Sequence, residues 1–145
     1  MLESTIYEVL SQDEVTNSIF LGVFARDELP LNLDYPCCFV CNTAPRSNAG
    51  EHWLAFFYND RGFCNFFDSY GKEPGIFNFE EYLNKTSINW SYNRKRIQGS
   101  LPYCGHYCVF YLLFKARGKE INFLNNFGIN YNKNDEEIST LIRNF

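Results

Sequence analysis

Short apolar runs separated by polar segments recur along this chain, and their lengths favour β-strands. Three of them, at residues 37–41, 52–58 and 63–68, are rich in aromatic residues and cysteine. The segment Asn59-Asp60-Arg61-Gly62 separates the last two and is typical of a hairpin turn. Because both hairpin strands are apolar on both faces, we expect them at central positions of a sheet that is covered on each side.

Residues 104–115 favour a buried helix, because this segment is apolar almost all round. The segment Ser11-Gln12-Asp13-Glu14 has the layout of a capping box and predicts a short helix over residues 12–18. The other predicted elements are a helix at 5–10, an apolar turn region at 20–27, a helix at 78–84, a strand at 88–92 and an amphipathic helix at 135–143. Together these elements predict a single α+β domain over residues 1–145, with a small mixed sheet packed against a central helix.

Composition and charge exclude several classes of protein. A chain of 145 residues with 46% hydrophobic residues is sufficient for one folded domain, and it has no apolar run of about 18 residues, the length that a membrane span requires. Its net charge of −4 has the wrong sign for a protein organised around phosphate binding. The start, Met1-Leu2-Glu3-Ser4, lacks the layout of a secretory signal, so we expect an intracellular protein whose six cysteines are reduced.

The predicted hairpin brings a histidine close to an acid. A turn symmetric about Asp60 places His52 directly opposite Asp68, whereas a type I turn with a bulge at Gly62 shifts the register by about two residues and makes the pair diagonal, still within reach. A carboxylate beside an imidazole fixes its tautomer and stabilises the imidazolium, as a general base requires. The alternative is a half-buried polar pair without a chemical role.

Cys104 is the candidate nucleophile. It follows a turn that contains Pro102 and begins the apolar helix, where unpaired amides and the helix dipole favour a thiolate. The side-chain amide of Gln98 and the backbone N–H of Cys104 can together form an oxyanion hole. Gly105 leaves room for a substrate carbonyl to approach the backbone. The alternative is that Cys104 is an inert buried thiol, the commoner fate of cysteine.

The neighbours of Cys104 on the helix are interpreted as structural. His106 is two residues further on and faces another direction, which leaves His52 as the candidate base. Cys108 shares the face of Cys104 but lies one turn deeper, so we interpret it as a core residue.

Two further clusters are weaker candidates for function. Cys38 and Cys41 have the spacing of a zinc-binding pair, but alternation along a strand sends them to opposite faces, so we expect core thiols and no metal site. Arg94-Lys95-Arg96 follows Tyr92 and suits contact with nucleic acid or an acidic substrate. The interpretation favoured here is a solvated strand end that resists unwanted pairing.

These motifs resemble the adenovirus protease (adenain) family. The resemblance begins with His52-Trp53, the acid Asp68, and Gln98-Gly99 followed by Cys104-Gly105. The wider group of cysteine proteases that process ubiquitin-like proteins has the same order of His, acid, Gln and Cys. Further matching segments are Ser18-Ile19-Phe20-Leu21-Gly22, Asn42-Thr43-Ala44-Pro45, Gly50-Glu51-His52-Trp53-Leu54-Ala55-Phe56 and Phe67-Asp68-Ser69-Tyr70-Gly71. The resemblance covers roughly residues 18–115.

The resemblance implies a papain-like α+β fold and peptide-bond hydrolysis through a thioester intermediate. It carries over Cys104 as nucleophile, His52 as base and Asp68 as orienting acid. It also carries over Gln98 as oxyanion donor, in agreement with the roles that the residues suggest by themselves. It further implies a small P1 residue, typically Gly, in a tight channel flanked by Trp53, although core packing explains this tryptophan equally well.

The family also indicates a biological role. Its members in adenoviruses, virophages and capsid-encoding transposons mature capsid precursors, so we expect a capsid or other structural precursor as the protein substrate, in the host cytoplasm or nucleus or in the virion. Residues 85–97 contain no cysteine, which argues against the disulfide-tethered activating peptide of adenain, although an untethered peptide is compatible with the sequence. The acidic charge argues against DNA as a cofactor. No other cofactor and no membrane partner is expected.

Three functional hypotheses follow. The first is a cysteine endopeptidase that matures viral or transposon structural proteins. The second is a peptidase or isopeptidase that acts on a ubiquitin-like modifier. The third, a binding module without catalysis, is disfavoured because all four catalytic positions are occupied by competent residues.

Overall fold

Five strands form one mixed sheet in the order of the chain, in a computed structural model that describes residues 1–143 and the side chains of residues 1–141. The strands are β1 (Phe20–Phe24), β2 (Cys37–Asn42), β3 (Trp53–Tyr58), β4 (Phe63–Phe67) and β5 (Asn89–Tyr92). The helices are α1 (Glu3–Gln12), α2 (Glu80–Thr86), α3 (Cys104–Ala116), α4 (Glu120–Asn125) and α5 (Tyr131–Arg143). The central pairs β2–β3 and β3–β4 are antiparallel, whereas the edge strands β1 and β5 each run parallel to their neighbour.

Helix α3 packs against one face of the sheet and forms the larger core with it. Cys38, Val40, Ala55 and Phe67 from the strands are buried there against the helix. The ring of Phe67 stacks on that of Tyr111 in α3, with centroids 4.3 Å apart. This arrangement confirms the predicted α+β class, in which a mixed sheet packs against a central helix.

The opposite face of the sheet is covered by aromatic residues and α2. Phe39 and Phe56 stack there with centroids 4.8 Å apart, and Phe56 meets Phe79 edge to face. Leu83 of α2 is fully buried in the same cluster. Both hairpin strands are therefore covered on each side, as their sequence predicts.

Two sequence predictions near the N-terminus are wrong. Ser11 is no helix cap: it lies inside α1 and its hydroxyl donates to the carbonyl of Tyr7, while Asp13 accepts the N–H of Thr16 in a turn. The predicted helix over residues 12–18 is therefore replaced by turns. The predicted turn region at 20–27 instead contains strand β1, which tertiary pairing with β2 makes possible.

The C-terminal part contains more helix than predicted. Helix α5 begins at Tyr131, four residues before the predicted start, and α4 was not predicted. No helix within residues 1–143 has the length and apolar character needed to cross a bilayer.

Candidate active site

The β3–β4 hairpin places His52 beside Asp68. Asn59 closes the turn, since its side-chain Oδ1 accepts the backbone N–H groups of Arg61 and Phe63. Gly62 has a φ of 85°, a value that favours glycine, and the register pairs Ala55 with Phe67. This is the shifted register, and the His52 Nε2 lies 2.6 Å from the Asp68 Oδ1.

The Asp68 carboxylate is fully buried and held by the backbone that follows it. Its Oδ1 accepts the N–H of Tyr70 and its Oδ2 accepts the N–H of Lys72. Asn93, just after β5, accepts the N–H of Asp68 at 3.0 Å and donates to its carbonyl at 2.7 Å. The acid therefore has one orientation, with Oδ1 directed at His52.

Cys104 is the first residue of α3, and 9% of its surface is exposed. Its Sγ accepts the backbone N–H of Trp53 at 3.5 Å. Burial alone would raise the pKa of this thiol, but hydrogen bonding to His52, the charge of His52 and the N–H groups of Trp53 and Gly105 together lower it. The geometry thus favours the thiolate.

The pKa of His52 shifts in the opposite direction to that of Cys104. Burial lowers its pKa, but hydrogen bonds with Asp68 and Cys104, together with their charges, raise it to about 9. Because Nε2 is engaged by Asp68, Nδ1 is the ring nitrogen that remains for the thiol. The rings of Tyr70 and Phe77 lie against the imidazole, with centroid distances of 5.2 and 5.8 Å.

Gln98 lies in the loop before α3 and is almost fully buried. Its Nε2 donates to the carbonyl of Leu101 at 2.7 Å, and its Oε1 accepts the hydroxyl of Ser69. One of the two Nε2 protons is used in this way, so the second remains for another acceptor. The role of Gln98 as oxyanion donor stays a prediction.

Helix α5 holds the loop that carries Gln98. The buried Asp135 accepts the N–H of Gly99 at 2.9 Å, the N–H of Leu101 at 3.2 Å and the hydroxyl of Tyr107 at 2.7 Å. Asn134 donates to the carbonyl of Ile97 at 2.9 Å. The loop at residues 97–103, which we call the nucleophile loop because it leads into Cys104, is thus held by helix α5 near the C-terminus.

Gly105 and Trp53, the two predicted substrate-binding residues, lie next to Cys104. A Cβ on Gly105 would meet Met1, Trp53 and Ile6 at 3.1 to 3.2 Å, so close packing with α1 accounts for this glycine. Trp53 is half-buried and lines a surface depression together with Asn42 and Gly50. Substrate binding by either residue stays a prediction.

His106 and Cys108 lie apart from the pair formed by Cys104 and His52. His106 packs against the ring of Tyr103, and burial lowers its pKa to about 4. Cys108 is fully buried in the core, where burial raises the pKa of its thiol well above the ordinary value.

All six cysteines are buried and free. Cys38 belongs to the core beneath α3, whereas Cys41 belongs to the cluster on the opposite face, as strand alternation predicts. Within residues 1–143, no three histidine, cysteine, aspartate or glutamate side chains are grouped so as to hold a metal ion.

The basic cluster after β5 makes contacts within the chain. The Lys95 ammonium donates to the carbonyls of Leu124 and Phe127 at 2.7 and 2.6 Å. The Arg96 guanidinium lies over the rings of Tyr70 and Tyr131 and donates to the carbonyl of Gln98. Lys95 is half-buried, while Arg94 and Arg96 are exposed.

Sequence reasoning missed Ser69, Asn93 and Asp135. Each is a single polar residue whose partners lie far away in the chain, so no local pattern marks it. Their contribution becomes visible only when β4, β5 and α5 are assembled around the loop at residues 97–103.

The chain is similar in sequence to the proteases of adenoviruses. No protein-family model matches the chain. The protease of human adenovirus D serotype 17 is 31% identical over 67% of this chain and 51% of that protein. The protease of human adenovirus B serotype 3 is 32% identical over 64% of this chain and 48% of that protein. The chain thus spans about half the length of these curated relatives.

Solved structures share the architecture. ChlaDub1 from Chlamydia trachomatis has a TM-score of 0.51 at 15% identity, covering 74% of this chain and 58% of that one. The central domain of the uncharacterised Lpg1148 protein from Legionella pneumophila has a TM-score of 0.54 at 12% identity, covering 99% and 98%. This likeness concerns the fold and confirms the predicted fold class.

Proposed function

We propose that this chain, a homologue of the adenovirus proteases, is a cysteine endopeptidase with Cys104 as its nucleophile. The observation that carries the proposal is the position of Cys104 at the start of a buried helix, where its Sγ accepts the N–H of Trp53, the residue directly after the Asp68-bound His52. The pKa of the thiol is lowered and that of the imidazole is raised, which favours a thiolate–imidazolium pair. An inert buried thiol has a raised pKa instead, as Cys108 has.

In the proposed reaction, the Cys104 thiolate attacks the carbonyl carbon of a peptide bond. The oxyanion that forms accepts hydrogen bonds from the Gln98 amide and the Cys104 backbone N–H. The His52 imidazolium then gives its proton to the leaving amine, and a thioester joins Sγ to the acyl half of the substrate. Neutral His52 next takes a proton from water, whose oxygen attacks the thioester carbon. The C–Sγ bond then breaks, the acid product leaves, and the proton retained on His52 restores the thiolate–imidazolium pair.

Asp68 is proposed as the orienting acid. Its Oδ1 holds the Nε2 proton of His52, so Nδ1 faces the thiol and the imidazolium is stabilised. The two N–H groups that bind its carboxylate keep it in place.

The proposed substrate is a capsid or other structural precursor cleaved after a small residue such as Gly. Trp53 supports this, because its backbone N–H contacts Sγ and its indole lies 3.1 Å from the position of a Cβ on Gly105, which leaves little room for a bulky P1 side chain. In this proposal the backbone at Gly105 contacts the substrate. An activating peptide tethered by a disulfide and a requirement for DNA are not part of it.

Two substrate classes separate the proposal from its alternative. We expect cleavage of the structural precursor after a small residue by the wild-type protein and none by Cys104→Ala. Labelling of Cys104 by Gly-Gly-ended ubiquitin-like modifier probes, without cleavage of the precursor, would favour a peptidase or isopeptidase acting on such modifiers. Cleavage of every substrate to the same extent by Cys104→Ala would overturn the proposal, and a wild-type protein that neither cleaves nor is labelled would favour a binding module.

A further inference from the structure

Ser69 connects the two halves of the candidate active site. It follows Asp68 directly and is fully buried. Its carbonyl accepts the N–H of Ile97 at 2.9 Å and the N–H of Gln98 at 3.0 Å. Its hydroxyl donates to the Oε1 of Gln98. One residue therefore holds both the backbone and the side chain of the proposed oxyanion donor.

The contacts of Gln98 determine which way its amide points. The Leu101 carbonyl can only accept a hydrogen bond, so the Nε2 of Gln98 faces it. The Oε1 consequently faces Ser69, whose hydroxyl has to act as the donor. With both ends of the amide engaged, the second Nε2 proton has a fixed direction.

We propose that Ser69 is a positioning residue that holds the Gln98 amide so that its free N–H points at the oxyanion. The inference rests on the proposed protease function. Ser69 acts through Gln98, so it does not itself contact the substrate. Since Asp68 and Ser69 are consecutive, the same short segment aligns the histidine through one residue and the oxyanion donor through the next.

Removal of the Ser69 hydroxyl has a specific consequence. In Ser69→Ala the buried Oε1 of Gln98 loses its donor, and the amide is held by Leu101 alone. Loss of a whole oxyanion donor lowers kcat by about 10²- to 10³-fold, which sets the upper limit of the effect. We expect Ser69→Ala to lower kcat by about ten-fold with little change in KM, because the contact acts on the transition state.

A double-mutant comparison tests whether Ser69 acts through Gln98. Single variants Ser69→Ala and Gln98→Ala and the double variant are assayed on one peptide substrate. The proposal predicts that the double variant is no slower than Gln98→Ala, since no amide remains to be positioned. Additive losses in the double variant would overturn it.

Alkylation by iodoacetamide separates positioning of the amide from general damage. This reaction needs the thiolate but no oxyanion donor, so its rate and pH profile in Ser69→Ala should match those of the wild type within about two-fold. A parallel loss of alkylation would show that the variant disturbs Cys104 and His52 and would overturn the proposal. Ser91→Ala is the matched control, since it removes a hydroxyl that accepts from Asn65 between β4 and β5, and it should leave kcat unchanged.

The NMR spectrum of the Gln98 side-chain amide tests the role of Ser69 independently of proteolysis. Its two N–H resonances, assigned with Gln98→Ala, should shift and broaden in Ser69→Ala and be restored in Ser69→Thr. An unchanged amide spectrum in Ser69→Ala would overturn the proposal. Failure of the wild-type protein to cleave any substrate would instead count against the proposed function, and the spectrum would still be informative.

Discussion

The Nε2 of His52 lies 2.6 Å from the Oδ1 of Asp68, although the two residues do not face each other across the hairpin. Ala55 pairs with Phe67, so the same register continued past the strand ends sets His52 against Tyr70. The acid reaches the imidazole diagonally, and the ring of Tyr70 lies against it at 5.2 Å. Asp68 thus contacts the edge of the imidazole ring, and Tyr70 packs against its face.

The first prediction concerns removal of the acid. Asp68→Ala deletes a contact that raises the pKa of His52, so the imidazolium loses its partner and the thiolate forms at higher pH. We expect kcat to fall by about 10²-fold or more and alkylation of Cys104 at pH 6 to fall at least about ten-fold. Asp60→Ala, in the exposed hairpin turn, is the matched control and should behave as the wild type. Equal behaviour of the two variants would exclude the proposed role of Asp68.

The second prediction concerns pH. Cys104 forms a thiolate above its lowered pKa, and His52 keeps its proton up to a pKa of about 9, so the ion pair exists between these limits. A free thiol with a pKa of about 8.5 is only about 0.3% ionised at pH 6. We therefore expect alkylation of Cys104 at pH 6 to remain within about ten-fold of its rate at pH 8.

In His52→Ala the same profile should change shape. Without the imidazolium, burial dominates and the midpoint of alkylation should move to the free-thiol value or above. A wild-type midpoint near 8.5, or a profile that does not respond to His52→Ala, would contradict the activated pair.

The third prediction concerns the Asn93 side chain. Asn93→Ala removes the contacts to the N–H and carbonyl of Asp68 and a third contact, at 2.9 Å, to the carbonyl of Lys95. We expect about 2 kcal/mol of destabilisation by urea denaturation, together with reduced kcat, because half-buried groups lose their partners. Asn65→Ala removes one contact, to Ser91, and should destabilise less without lowering kcat. A loss of kcat as large in Asn65→Ala would show that general stability, and not the placement of Asp68, controls activity.

The fourth prediction compares two glycines. A Cβ on Gly99 would lie 2.6 Å from an Asp135 carboxylate oxygen and 2.9 Å from the Tyr131 carbonyl, so Gly99→Ala should displace the loop that carries Gln98. We expect a lower melting temperature and a loss of kcat of at least about ten-fold. Gly128→Ala meets nothing within 4 Å and serves as the control. Wild-type kinetics in Gly99→Ala would contradict the proposed importance of this loop.

The sequence predicted those parts of the site that depend on local signals. His52 directly precedes β3 and Asp68 directly follows β4, so the hairpin turn determines how close they lie, and the turn type predicts their proximity. The change from a proline-containing turn to an apolar run predicts a helix start at Cys104, and α3 does begin there.

The rest depends on tertiary contacts. Strand β1 forms because it pairs in parallel with β2. Gly22, which has a φ of 140°, interrupts the apolar run of this strand, so the sequence pattern does not predict it. The capping box predicted at Ser11 is wrong because helix α1 extends to Gln12, so Ser11 lies inside that helix. Asp135 reaches the nucleophile loop from a helix near the C-terminus, a distance that no local pattern spans.

The most direct test of the central claim is digestion of a proteome-derived peptide library, followed by sequencing of the new termini. The proposed endopeptidase predicts cuts after small residues by the wild-type protein, none by Cys104→Ala, and wild-type cuts by Cys108→Ala, since that thiol lies in the core. Cuts that persist in Cys104→Ala, or a wild-type protein that cuts nothing although Cys104 is rapidly alkylated at pH 6, would contradict it.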